Sequence, residues 1–319
     1  MVPAGWPAPV DERELFAKRF CAAVLPEYGT CEHWLKLPRS LDISTVKTWS
    51  DLGPSPDTSY LVVAVGGIFS DCLNKVVTTF QDALEHLKTL GFDVQYWRTC
   101  ADCSTAESGA RLVKQFHQLP AGTKVIAVGH SKGAVDLIDA VSQDDHIGDI
   151  LKAVLTVNSP VSGTRLADII PRALDDLSKK VGALGACDLG SGQGLDSLKR
   201  LARQRFWTAH PDLSTRMAFF SVVSASTRDR TSPVMLPLWD PMSFYSLDQD
   251  SQVIAEEGIV PGGTYLGQLK GDHWAAAFPV ELVQSPLVRS LFEDKNHFPR
   301  GAMLEAAVRV IITSLPKTR

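Results

Sequence analysis

The sequence predicts an α/β fold, because short apolar runs alternate along the chain with segments in which apolar residues recur at helical spacing. Val125-Ile126-Ala127-Val128 is apolar at every position, which is typical of a strand buried on both faces of a sheet. Strands that alternate with helices are typical of parallel sheets. We therefore expect a mostly parallel central sheet with helices on both faces.

Each predicted element has a local signal. The first strand is rich in Val and is closed by Gly66-Gly67, and the helix that follows it ends at Gly91. The other strands are short apolar or β-branched runs, and the other helices repeat apolar residues every three or four positions. The predicted strands are residues 59–65, 92–97, 124–128, 153–157, 217–223 and 264–269. The predicted helices are residues 73–90, 106–119, 134–141, 166–184, 195–207 and 301–314.

Two segments lie outside this alternation. Residues 1–59 are rich in Pro and Trp and contain one helical stretch, residues 12–25, so we expect an N-terminal extension that packs on a main domain of residues 60–319. Residues 162–213 are helical in pattern, contain a glycine-rich link at 185–194, and interrupt the succession of strands. A helical insertion without strands of its own predicts a cap on the main domain.

Composition narrows the range of partners and compartments. The 319 residues include 32 Lys and Arg against 36 Asp and Glu, so the net charge of −4 gives no basic surface for nucleic acid. No run of 18 apolar residues occurs, and we expect no transmembrane segment. The N-terminus lacks the basic and apolar regions of a signal peptide, which leads us to expect a cytoplasmic protein.

The cysteines and glycines give no indication of a metal or cofactor. Six cysteines are spread over a long chain, which favours free thiols. Cys100 and Cys103 have the spacing of a redox or zinc pair, but a zinc site needs a second pair that the sequence lacks. The glycine-rich run at residues 190–194 follows a predicted helix, whereas a nucleotide-binding loop follows a strand. We expect no metal and no cofactor.

The sequence Gly129-His130-Ser131-Lys132-Gly133 has the GxSxG pattern of a nucleophilic serine. It joins a predicted buried strand to a predicted helix, and small residues at 129 and 133 allow strand and helix to approach each other. The hydroxyl of Ser131 would then stand above the sheet at a helix N-terminus, which favours developing negative charge. Ser131 is therefore the predicted nucleophile.

A serine hydroxyl becomes a strong nucleophile only when a base accepts its proton and a carboxylate orients that base. Three histidines, His210, His273 and His297, lie well beyond Ser131. His273 follows the last predicted strand, where a loop leaves the carboxyl edge of the sheet, and is the predicted base. We expect His210 and His297 at the surface, and His130 turned away from the serine by the tight turn.

These segments together resemble the α/β-hydrolase superfamily, particularly its bacterial esterase and lipase-like members, over roughly residues 60 to 310. The resemblance rests on the GxSxG segment, on Val65-Gly66-Gly67-Ile68-Phe69 and on Gly271-Asp272-His273-Trp274. It implies an oxyanion hole of two backbone N–H groups, which map to Lys132 and Ile68, with Phe69 as the alternative to Ile68. Many relatives have His-Gly where this chain has Gly66-Gly67.

Three carboxylates compete for the role of orienting acid. Asp229 follows the predicted strand at 217–223 closely, as the simplest topology would have it. Asp250 lies in Asp250-Ser251-Gln252-Val253, which resembles the Asp-Gly-x-Val loop of several lipase-like relatives with Ser in place of Gly. We favour Asp250, with Asp229 and then Asp248 as alternative acids.

The resemblance implies a serine hydrolase that cleaves a carboxylic ester through an acyl-enzyme. Its substrate would be a small-molecule or lipid ester. The same three side chains would also serve a thioesterase or an acyltransferase. A binding protein without activity on a hydrolase scaffold is the alternative from a different class, and only an activated serine would react with a fluorophosphonate.

Overall fold

A computed structural model describes residues 6–47, 50–73, 77–170, 187–290 and 297–316. Within these ranges the strands are β1 (Val10–Asp11), β2 (Tyr60–Val65), β3 (Asp93–Trp97), β4 (Lys124–His130), β5 (Leu151–Val157), β6 (Ala218–Ala225) and β7 (Thr264–Lys270). They form one sheet in the order β1-β7-β6-β5-β4-β2-β3, and every pairing is parallel. The predicted parallel sheet is confirmed.

Helices cover both faces of this sheet. Those of the main body are α1 (Arg13–Ala23), α2 (Ser70–Leu73), α3 (Gln81–Thr89), α4 (Thr105–His117) and α5 (Lys132–Gln143). Further along the chain follow α6 (Arg165–Ile169), α7 (Gly194–Ser197), α8 (Arg200–Ala209), α9 (Leu213–Arg216), α10 (Leu236–Ser243), α11 (Pro286–Ser290) and α12 (Arg300–Ser314).

Alternate residues of β2 enter two separate apolar clusters. Val62 and Ala64 pack in the cluster that contains side chains of α1, α3 and α12. Leu61, Val63 and Val65 pack in the cluster that contains side chains of α4 and α5. Successive side chains of a strand point to opposite faces, so a strand that is apolar at every position joins both layers.

The N-terminal segment adds a strand that the sequence did not predict. β1 pairs with β7 at the edge of the sheet, with Val10 opposite Thr264 and Asp11 opposite Tyr265. The helix α1 falls within the predicted stretch 12–25, and its Phe16 and Phe20 are fully buried against the sheet. Two residues are too short a strand for an apolar alternation to be read.

The insertion between β5 and β6 is helical where the structure describes it. Of the predicted helix at 166–184, α6 corresponds to the first part, and residues 171–186 lie outside the described residues. The predicted helix at 195–207 is two helices, α7 and α8. An ion pair of 2.7 Å between Arg203 and Asp139 attaches α8 to α5, and both side chains are buried.

The expectation of free thiols was wrong. All six cysteines are paired, as Cys21–Cys31, Cys72–Cys187 and Cys100–Cys103. The positions of the cysteines along the chain do not reveal pairs that only the fold brings together, such as the pair with a sequence separation of 115. Disulfides persist mainly in oxidising compartments, which argues against the expected cytoplasmic location.

Within the described ranges, no helix combines the length and the apolar character that crossing a bilayer requires.

Candidate active site

Ser131 lies on a tight turn between β4 and α5. Its backbone has φ 54° and ψ −127°, a strained conformation for a non-glycine residue, and it presents the hydroxyl at the N-terminus of α5. A Cβ at position 129 would lie 2.3 Å from Cα of Ala134, and one at 133 would lie 2.3 Å from the carbonyl oxygen of Gly66. Glycine is therefore required at both positions for the strand, the helix and the neighbouring turn to approach.

Ser131, His273 and Asp250 form one hydrogen-bonded row. Nε2 of His273 lies 2.9 Å from Oγ of Ser131. Nδ1 of His273 lies 2.9 Å from Oδ2 of Asp250. All three side chains are buried, with 6% exposure for Ser131 and 1% for each of the others. The structure thus brings together the predicted nucleophile, the predicted base and the favoured acid.

The carboxylate of Asp250 is held by its own loop. Its Oδ1 accepts hydrogen bonds from the backbone N–H groups of Gln252 at 3.0 Å and Val253 at 2.8 Å, which leaves Oδ2 for the imidazole. Ser251 has φ 90°, a conformation that favours glycine. This accounts for the resemblance noted in the sequence, since glycine occupies the corresponding position of the Asp-Gly-x-Val loop.

The two alternative acids lie elsewhere. Asp229 is exposed in a short 3₁₀ turn after β6, and Asp248 is exposed beside Gln268 and Lys36. The chain leaves the sheet after β6, forms α10, and returns so that the N–H of Ser226 donates to the carbonyl of Gln249 at 2.9 Å. Asp250 therefore lies at the carboxyl edge of the sheet, whereas Asp229 lies on the segment that leads away from it.

The side chains of the other histidines considered, His210, His297 and His130, form their hydrogen bonds and ring contacts with groups other than the hydroxyl of Ser131. Nδ1 of His210 donates a hydrogen bond to the backbone carbonyl of Phe206, one turn earlier in the chain. His297 is exposed and stacks on Tyr28, with 4.6 Å between the ring centroids. His130 is buried, and its Nε2 donates to the backbone carbonyl of His273 at 2.9 Å.

The resemblance implies an oxyanion hole formed by the backbone amides of Lys132 and of Ile68 or Phe69. The backbone amide of Phe69 donates to the carbonyl of Ala101 at 2.9 Å, which favours Ile68 over Phe69 as the candidate donor of this turn. A Cβ at Gly67 would lie 2.9 Å from Cβ of Ser131, which shows how closely the turn approaches the serine. The second amide belongs to Lys132, the first residue of α5, where a helix has no internal acceptor for it.

The side chain of Lys132 turns away from the site. Its Nζ donates to both oxygens of Asp136, at 2.8 and 2.9 Å, and to the hydroxyl of Ser108 at 3.0 Å. Burial raises the pKa of Asp136 to about 7, although Lys132 opposes that rise. The backbone amide of Lys132 is therefore the only group of this residue that could serve an oxyanion, because its ammonium group is engaged by Asp136 and Ser108.

Sequence reasoning missed two features that support this site. The carboxylate of Asp272 accepts hydrogen bonds from the amides of Ser232, Trp274 and Ala275, and so fixes the turn that carries His273. The disulfide Cys72–Cys187 links α2, which follows the Gly66–Phe69 turn, to the chain seven residues before α7. An acidic residue beside the histidine was the available signal for the first, and nothing in the spacing indicated the second.

Several solved structures share this architecture. The metagenomic carboxyl esterase MGS0156 superposes with a TM-score of 0.86 at 28% identity, covering 98% of this chain and 96% of that chain. The mature lipase BlEst2 of Bacillus licheniformis has a TM-score of 0.56 at 19% identity over 75% and 93% of the two chains. EstA of Clostridium botulinum has a TM-score of 0.54 at 13% identity over 95% and 99%. The latter two show a shared fold.

No protein-family profile matches the sequence, and no curated protein sequence matches it significantly.

Proposed function

This chain is an α/β-hydrolase, and we propose that it is a serine esterase that cleaves carboxylic esters through an acyl-enzyme intermediate. The observation that carries the proposal is the position of His273, whose two ring nitrogens lie 2.9 Å from Ser131 Oγ and 2.9 Å from Asp250 Oδ2. A buried serine in that arrangement has a base for its proton and an acid that orients the base.

In the first half of the reaction, Oγ of Ser131 attacks the ester carbonyl carbon while Nε2 of His273 accepts the hydroxyl proton. The carboxylate of Asp250 keeps the other proton on Nδ1 and stabilises the imidazolium. The carbon–oxygen bond to the alcohol then breaks, and His273 returns the proton to the leaving alcohol oxygen. The product of this half is an ester of Ser131.

The second half hydrolyses that ester. Water gives one proton to Nε2 of His273 and adds to the acyl carbon, and the Oγ of Ser131 leaves with the proton from the imidazolium. In both halves the tetrahedral oxyanion accepts hydrogen bonds from the amides of Ile68 and Lys132. The positive end of the α5 dipole favours the same charge.

The helical insertion is proposed as a cap that contributes an apolar wall for the acyl group. Leu198 and Ala167 pack against Val135 of α5, with Leu195 at the margin of the cluster. This places apolar side chains of the insertion beside the helix that begins at the nucleophile. A small-molecule or lipid ester with an apolar acyl chain fits such a wall.

A series of p-nitrophenyl esters of increasing acyl length tests the proposal. We expect turnover, with a rapid release of about one equivalent of p-nitrophenol per protein before the steady state, because the acyl-enzyme accumulates when deacylation is slower. No turnover of any ester in the series would contradict the proposal.

A further inference from the structure

The backbone carbonyl of His273 accepts two buried side-chain hydrogen bonds. Nε2 of His130 donates to it at 2.9 Å, and Nδ2 of Asn158 donates to it at 3.2 Å. All three residues are 1% exposed. A catalytic triad requires its base to be held in place. These two hydrogen bonds hold the main chain of His273 and leave its ring free of them.

His130 has a fixed protonation state in this contact. A carbonyl oxygen only accepts, so Nε2 of His130 carries the proton, and Nδ1 is buried without a hydrogen-bond partner among the described residues. Burial and the neighbouring His273 hold the pKa of His130 well below its ordinary value. The ring, 4.8 Å from that of His273, therefore stays a neutral donor while His273 gains and loses its proton.

Asn158 is also oriented by its surroundings. The hydroxyl of Ser224 donates to its Oδ1 at 2.7 Å, which directs the Nδ2 donor towards His273. The backbone N–H of Asn158 donates to the carbonyl of Val222 at 3.0 Å. The φ of Asn158 is 51°, a conformation that Asn adopts more readily than most residues. The backbone conformation of Asn158 and the hydroxyl of Ser224 together orient the side-chain amide of Asn158 towards the carbonyl oxygen of His273.

The two donors come from the strands beside the nucleophile. His130 ends β4 and immediately precedes Ser131, and Asn158 follows the last residue of β5. We propose that His130 and Asn158 are positioning residues, which fix the His273 backbone relative to the β4–Ser131 turn so that Nε2 stays within hydrogen-bond distance of Oγ. This inference rests on the proposed esterase function.

The test compares two substitutions at one position. His130→Phe keeps a ring among Phe80 and Phe278 but removes the donor, whereas His130→Gln keeps a donor near the place of Nε2. A base displaced by about 1 Å loses roughly a hundredfold in rate. We therefore expect His130→Phe to lower kcat roughly 10- to 100-fold with KM unchanged. We expect His130→Gln to recover most of that loss.

Asn158 is tested by a mild and a severe change. Asn158→Gly tolerates the positive φ and removes the donor, and Ser224→Ala only releases the orientation of the amide. Both should lower kcat and slow the inactivation by a fluorophosphonate without changing KM, with the larger effect in Asn158→Gly. Because Ser224→Ala removes a single hydroxyl, it remains informative if the glycine variant is too unstable to purify.

Thr156→Val is the matched control. Thr156 is a fully buried residue of β5 whose hydroxyl lies within hydrogen-bond distance of the backbone carbonyl of Phe220 and the hydroxyl of Ser221, away from His273. We expect it to lower thermal stability and leave kcat unchanged. An equal loss of kcat in His130→Phe and His130→Gln would overturn the positioning role. The role would also be overturned if kcat stayed within twofold of wild type in His130→Phe, Asn158→Gly and Ser224→Ala. Failure of the wild-type protein to react with the fluorophosphonate would instead overturn the esterase proposal.

Discussion

Asp250 contacts His273 through both its side chain and its main chain. Its Oδ2 lies 2.9 Å from Nδ1 of the imidazole, and its carbonyl oxygen accepts the His273 amide at 2.7 Å. The loops that carry the acid and the base are therefore joined by a backbone hydrogen bond. This bond holds the short side chain of Asp250 beside the imidazole of His273. This contact distinguishes Asp250 from Asp229 and Asp248, the other two candidate acids.

Asp250→Asn is expected to lower kcat by roughly three to four orders of magnitude, as loss of the orienting carboxylate does in serine hydrolases of this chemistry. An amide at this position favours the wrong His273 tautomer. Asp229→Asn and Asp248→Asn, at exposed positions, are the controls and should stay within twofold of wild type. Turnover of one short-chain ester measures all three, and a larger loss in Asp229→Asn would contradict the role of Asp250.

Ser251→Gly is expected to stabilise the fold by about 0.5 to 1 kcal/mol. Ser251 has φ 90°, where a Cβ is strained, and the relief outweighs the greater freedom of glycine in the unfolded chain. Urea denaturation monitored by tryptophan fluorescence gives the difference in the free energy of unfolding. A loss of stability would mean that the serine makes a compensating contact.

Loss of the Cys72–Cys187 disulfide is expected to lower the free energy of unfolding by about 3 to 5 kcal/mol, because it closes a loop with a sequence separation of 115. The double substitution Cys72→Ser/Cys187→Ser isolates it. Cys100→Ser/Cys103→Ser is the matched control, with a separation of 3 and therefore a smaller entropic effect. Thermal unfolding without reductant ranks the two, and the reverse ranking would contradict the loop-closure argument.

Glu257 makes stability depend on pH. Burial raises its pKa to about 7 from 4.5, while Arg165 and Arg200 oppose the rise. The folded state therefore holds this proton more tightly than the unfolded state, so stability falls as pH rises from about 4.5 to about 7. Over that window wild type should lose about 1 to 3 kcal/mol more than Glu257→Gln, measured by urea denaturation. Parallel profiles would contradict the raised pKa.

Most of the sheet could be predicted from the sequence, because β2, β4, β5 and β6 are rich in aliphatic and aromatic residues and all the strands from β2 to β7 are separated by helices or turns. β3 and β7 mix apolar with polar residues but contain Val, Tyr, Trp and Leu, which are frequent in strands. What sequence did not reveal depends on tertiary contacts. The strand β1 exists only because it pairs with β7. The helix α10 contains Pro237 and Pro241, and proline inside a helix is unfavourable, so its sequence does not predict a helix.

Within the site, the serine turn could be predicted from a local pattern, because Gly129 is required by its contact with Ala134 inside the same strand–turn–helix unit. Gly133 is required by the approach of a second turn at Gly66, a tertiary contact. The acid could only be ranked, since its position depends on a loop that leaves β6 and returns at Gln249. His130 was expected to turn away from the serine, and it does, but its bond to the His273 carbonyl joins residues 143 positions apart.

The central claim is that Ser131 is an activated nucleophile. Its most direct test is mass spectrometry of the protein after reaction with a fluorophosphonate, with the adduct located by peptide sequencing. We expect one adduct, on Ser131, and no adduct in Ser131→Ala. The variant should fold like the wild type because the substitution removes only the hydroxyl group. An unlabelled wild-type protein, or undiminished labelling of Ser131→Ala, would contradict the account.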